Sequence, residues 1–123
     1  MHWHRLQTLA QAEVSKILQA LPKDLQSAVK DLPVTFQPHP DRELVEDGVD
    51  YDTLGLFVGD EWGHSEVSVN PLPSQIILYL QNIWEYTEGD ERIFVEEIRT
   101  TLLHELGHYL GLDEADLEQR GLD

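Results

Sequence analysis

Cysteine is absent from the 123 residues, which removes disulfides, thiolate zinc sites and cysteine nucleophiles together. Any metal bound by this chain must therefore be held by His, Asp or Glu. Basic residues are scarce as well: 8 Lys and Arg stand against 24 Asp and Glu, a formal charge of −16. Nucleic acid and anionic membrane are thereby disfavoured as partners, because both are bound by neutralising their phosphates. Long apolar runs are also missing, and none approaches the roughly 18 residues a membrane span requires. The N-terminal MHWHRLQTLAQAEV has no basic segment followed by an apolar core, so it does not read as a secretory signal. The expectation is a soluble, cytoplasmic protein with no nucleic-acid or membrane partner.

What is present suffices for one hydrophobic core. With 41% hydrophobic residues, including 3 Trp, 4 Tyr and 3 Phe, the chain is too apolar for a disordered acidic segment. Its length supports a single domain over 1–123. Leu6, Leu9, Ala10, Val14, Ile17, Leu18 and Leu21 recur at three- and four-residue spacing and predict a first helix. Pro22 suits the first turn of a second, shorter helix, which Pro33 stops. Val34–Phe36, Leu54–Val58, Glu66–Val69 and Ile76–Leu80 are strand candidates. The connection between Leu54–Val58 and Glu66–Val69 suggests a hairpin or a longer excursion. Asp41 to Asp52 is polar without a clear period and reads as a mobile surface loop. A long helix is expected from Asp90, a good N-cap, to Leu110, with Gly111 where helices commonly stop. Strands between helical ends predict an α+β domain.

That last helix carries His104-Glu105-Leu106-Gly107-His108-Tyr109-Leu110-Gly111-Leu112-Asp113-Glu114. On a helix, His104 and His108 differ by about 40° around the axis and about 6 Å along it, so both imidazoles can bind one ion. Glu105 lies about 60° from His108, offset enough to act as general base on a metal-activated water while the histidines hold the metal. Val95, Ile98, Leu102, Leu106 and Tyr109 fall opposite His104, whereas Glu97, Thr100 and Thr101 continue the polar face. Gly107 and Gly111, lacking Cβ atoms, leave room for another backbone on the cleft side. A left-handed turn at Gly111 would fold the chain back toward the metal and make Glu114 the natural third ligand, with Asp113 its competitor one residue away. A shuffled chain of this composition would show the two His, the Glu, the Gly and the closing acid at these spacings roughly once in 3,000 trials, so the pattern is signal.

These residues resemble the extended zinc motif of the zincin metallopeptidases. The closest likeness is to a small bacterial zincin-like family whose third ligand position holds an acid. The resemblance extends more weakly through Leu54-Gly55-Leu56-Phe57-Val58-Gly59, Ile76 to Leu80 and the acidic tail ending in Gly121-Leu122. It implies a minimal metzincin-like fold with N-terminal helices, a small mixed sheet and a C-terminal active-site helix. It also implies Zn2+ bound by His104, His108 and Glu114, Glu105 as catalytic base, and peptide or protein substrates. Full metzincins add a third histidine and a Met-containing turn, whereas here the only Met is Met1. An acid in the third position also adds negative charge beside the metal, which implies weak or narrowly selective activity.

Other signals are weaker. His2 and His4 are expected in a frayed terminus, His39 in a loop, and His64 in a turn, with a transition-state role as its alternative. Tyr109 could offer an electrophilic hydroxyl, although its direction on the helix points to the core. The carboxylates of Asp47 to Asp52 lack the ligand order of a calcium loop and read as solvated charge. An endoribonuclease with helix histidines is a poor match, since its pattern has three histidines and RNA suits a charge of −16 badly. The rival from another class is a metal-stabilised module that holds a peptide or protein without cutting it. A two-His, one-carboxylate set also suits iron or manganese.

Overall fold

The computed structural model describes residues 2–62 and 73–122. The expected Glu66–Val69 strand and His64 lie outside the described residues. Nine elements follow one another among those described: α1 (His2–Ala20), α2 (Lys23–Val29), β1 (Val34–Gln37), α3 (Arg42–Glu46), β2 (Gly55–Val58), β3 (Gln75–Tyr79), α4 (Leu80–Tyr86), α5 (Glu91–Leu110) and α6 (Glu114–Gln119). The α+β expectation holds, with helices at both ends around a small mixed sheet.

The sheet order is β1-β3-β2, with β3 parallel to β1 and antiparallel to β2. An unbroken apolar run forms β3 because the central strand is buried on both faces. Ile76 and Leu78 join the main core, while the alternating Ile77 and Tyr79 are buried outside that cluster. On the core side, α1 contributes Leu6, Ala10, Val14 and Ile17, and α5 contributes Phe94, Ile98, Leu102 and Leu106. Fully burying side chains of this size stabilises by roughly 1.5–3 kcal/mol each. Those two stripes lock α5 between α1 and the sheet, which fixes the helix that carries the motif.

Three expectations need correction. The polar stretch after Pro40 is not a structureless loop. Asp41 caps α3 by accepting from the Leu44 backbone N–H at 3.0 Å, and Arg42 pairs with Glu46 one turn on. Further along, the buried Asn82 donates to the Tyr51 and Thr53 carbonyls at 2.7 and 2.9 Å and meets His39 Nδ1 at 2.7 Å. The N-terminus is not frayed either: α1 begins at His2, whose ring packs edge-on against Trp84 with centroids 5.3 Å apart. Finally, the strand expected over Ile76–Leu80 ends at Tyr79, and Leu80 opens α4, which, like α6 in the acidic tail, is a helix that periodicity over so few residues did not reveal.

Candidate metal centre

Asp90 starts α5 by accepting from the Ile93 backbone N–H at 3.1 Å, and Gly111 ends it in the left-handed conformation, φ 70°. Between these limits His104 and His108 stand one turn apart, with ring centroids separated by 4.5 Å. Both side chains are half exposed, 53% and 54%, whereas the Glu105 side chain is 9% exposed. That contrast separates two exposed nitrogen donors from a carboxylate shielded from bulk water. Glu105 Oε1 lies 3.3 Å from His108 Nδ1, and Oε2 lies 3.9 Å from His104 Nε2. One donor atom from each of the three residues falls within 4.8 Å of the others, the one such cluster among the described residues. Two imidazoles and a carboxylate this close are a donor set that suits a divalent ion, and no thiolate is needed to complete it.

Glu105 is buried because β2 crosses directly above it. A Cβ built on Gly55 would lie 2.6 Å from Thr101 Cγ2 and 3.4 Å from Glu105 Cγ, so the strand approaches this face of α5 as closely as glycine allows. Thr101, expected on the polar face, is therefore buried beneath the sheet, and its hydroxyl donates to Glu97 at 3.0 Å. Tyr109 turns away from the histidines. Its ring packs edge-on against Phe57 and its hydroxyl donates to the Ala28 carbonyl at 3.3 Å. Burial, reinforced by Asp31, raises its pKa. An electrophilic role for Tyr109 is not supported by this orientation.

After Gly111 the chain doubles back. The Leu112 backbone N–H donates to the Gly107 carbonyl at 2.8 Å, and a Cβ on Gly107 would lie 2.9 Å from the Leu112 carbonyl oxygen. The backbone for which Gly107 leaves room is thus the chain's own return. Asp113 then caps α6: its carboxylate accepts from the Asp116 N–H at 2.8 Å, while Asp116 accepts from the Asp113 N–H at 3.0 Å. Glu114, the next residue, is exposed and lines a cavity of about 400 Å³ together with His104 and His108. It stands outside the tight His104–Glu105–His108 cluster.

Most of the chain, residues 29–122, matches the model of the zincin-like metallopeptidase family. The chain belongs to that family. A comparison with curated proteins finds no match. Membership of the zincin-like metallopeptidases agrees with the α+β architecture and with the His-Glu-x-x-His cluster on α5. One cleft residue was not singled out from the sequence: Glu61 lines the cavity beside both histidines. It is brought there by the Trp62 backbone N–H, which donates to the Tyr109 carbonyl at 2.8 Å near the end of α5. A non-local hydrogen bond of this kind leaves no local pattern to read. Among the described residues, no helix is long and apolar enough to cross a membrane.

Proposed function

We propose that this zincin-like protein is a zinc-dependent peptidase in which His104, His108 and Glu114 hold the metal and Glu105 is the general base. The observation that carries the reading is the pairing of two exposed imidazoles with one buried carboxylate on a single turn of α5. Asp113 and Glu114 both line the cavity shared with the two histidines, and Glu114 is preferred as third ligand because the Asp113 carboxylate is engaged in capping α6. When bound, the ion supplies Lewis acidity to the scissile carbonyl and to the attacking water. The chain's own residues do the rest. Glu105, fixed beneath β2, accepts the proton of the attacking water and delivers it to the departing amine. Its partial exclusion from solvent strengthens that exchange, and the close approach of β2 at Gly55 limits its side-chain freedom.

An extended peptide is the substrate class. Among the described residues β2 is an edge strand of the sheet, and it packs directly on the metal-bearing turn, so an extended peptide aligned with it would lie against that turn. The opposite edge, β1, lies across the sheet from it.

The test combines metal analysis with turnover. Protein purified without chelator or metal-affinity steps is expected to contain stoichiometric zinc, and His104→Ala is expected to lose it. Glu105→Gln should keep the zinc while its peptide hydrolysis falls by about 10²–10⁴-fold, the usual contribution of a positioned general base. Full hydrolytic activity in Glu105→Gln under metal-controlled conditions would refute the mechanism. Retained zinc and undiminished peptide affinity with no turnover in the wild type would favour a module that holds peptides without cutting them.

A further inference from the structure

Beside the metal cleft, between α5 and α6, lies a second cavity of about 390 Å³ that shares His104, Glu114 and Leu117 with the first. Its size falls within the range of small-ligand sites. Leu103 and Leu117, 4% and 7% exposed, form an apolar floor, and the half-buried Leu122 adds a wall. Arg99 also lines it.

Arg99 differs from the other arginines. The chain has five, and four are in ion pairs: Arg5 with Glu91, Arg42 with Glu46, Arg92 with Glu96 and Arg120 with Asp24. Arg99 makes no ion pair or hydrogen bond among the described residues, in a chain with 24 acids. Its helix position explains this. The residues four before and four after it are Val95 and Leu103, and Glu96, three before it, already holds Arg92. Glu114 and Glu118 face the same cavity from α6 without reaching ion-pair distance of Arg99. A guanidinium, an apolar floor and a proposed metal site thus meet around one space.

We infer that this cavity is a specificity subsite for a substrate residue with an apolar side chain whose neighbouring carboxylate is bound by Arg99. The inference rests on the peptidase reading for its substrate class. Arg99 precedes His104 by five residues, about 7.5 Å along a helix, which matches roughly two residues of extended peptide. A carboxylate one or two residues from the scissile bond therefore reaches the guanidinium while the apolar side chain lies on Leu103 and Leu117. Its source is either a peptide C-terminus or an acidic side chain, and a planar guanidinium can bind both in bidentate fashion.

Zinc-loaded Glu105→Gln protein, with and without Arg99→Gln or Arg99→Lys, is titrated with three probes: acetyl-Ala-Ala-Leu, its C-terminal amide, and acetyl-Ala-Leu-Glu amide. Binding is read from the methyl NMR signals of Leu103, Leu117 and Leu122. At least one acidic probe should bind about tenfold or more tightly than the neutral amide. Arg99→Gln should abolish that preference and Arg99→Lys should restore part of it, and whichever acidic probe wins identifies the source of the carboxylate. Equal binding of acid and amide, a preference that survives in Arg99→Gln, or no shift at these methyls would overturn the inference. Because this readout needs no turnover, an Arg99-dependent preference in a protein whose wild type never cuts peptides would leave the subsite standing while the peptidase reading fails.

Discussion

Gly55 and Glu105 are 50 residues apart in sequence, yet the strand that covers the proposed base lies this close to α5 only because the glycine has no side chain to meet Thr101. Replacing Gly55 with Ala would stiffen the unfolded chain, a gain of about 0.5–1 kcal/mol. The new Cβ would meet Thr101 Cγ2 at 2.6 Å, well inside contact distance. Overpacking of this kind costs about 1–3 kcal/mol, so the net effect should be destabilising. Thr101→Ser removes the obstructing methyl and keeps the hydroxyl that donates to Glu97. The Gly55→Ala/Thr101→Ser double variant should therefore recover at least half of the loss in urea denaturation, a coupling that independent sites would not show. Strict additivity would mean that β2 does not press on α5 there. The pair also marks the limit of what the site's sequence discloses. His104, Glu105 and His108 declare themselves by spacing alone, because a helix turns local spacing into geometry. The burial of Glu105 depends on a strand arriving from elsewhere, and an alternating Leu-Gly-Leu-Phe-Val does not say which helix it will cover.

The same distinction holds among the elements. The two helices with long apolar stripes, α1 and α5, are legible, α5 with both its caps, as are β1, β2 and β3, because each repeats its period long enough or is bounded by Pro, Gly or Asn. The short helices α3, α4 and α6 are held by caps and tertiary contacts, and five to seven residues cannot establish a period. Of these, α6 bears on function, since its first residues supply both candidates for the third ligand. Removing the Asp113 carboxylate deletes the cap that Asp116 reciprocates and should cost about 1 kcal/mol. In the proposed site, Asp113→Ala nevertheless keeps its zinc, with slightly weakened affinity as the start of α6 loosens. Glu114→Ala should leave thermal stability of the zinc-free protein within about 0.5 kcal/mol of wild type, as for other exposed positions, yet lose bound zinc on dialysis. The reverse pattern, zinc lost with Asp113 and kept with Glu114, would reassign the ligand.

At the scale of the whole molecule, a charge of −16 opposes compaction everywhere, so two different additions should stabilise the fold by two different routes. Sodium chloride near physiological ionic strength screens repulsion beyond about 8 Å and should raise the melting temperature of wild type, His104→Ala and Glu114→Ala alike. At the proposed site zinc would act by binding the folded state: at a free concentration one hundred times its dissociation constant it would contribute about 2.7 kcal/mol. For a domain of this size that is an upward shift of roughly 10 °C, and it should appear in the wild type alone. The distinction matters because 24 carboxylates would also attract a divalent cation without any defined site. Calorimetry in constant high salt, where diffuse attraction is screened, separates the two. A zinc-dependent shift of equal size in all three proteins would show that the ion neutralises general surface charge, and the His104–His108 turn would then lose its claim to a metal. A shift confined to the wild type would tie stability to the same side chains on which the proposed chemistry depends.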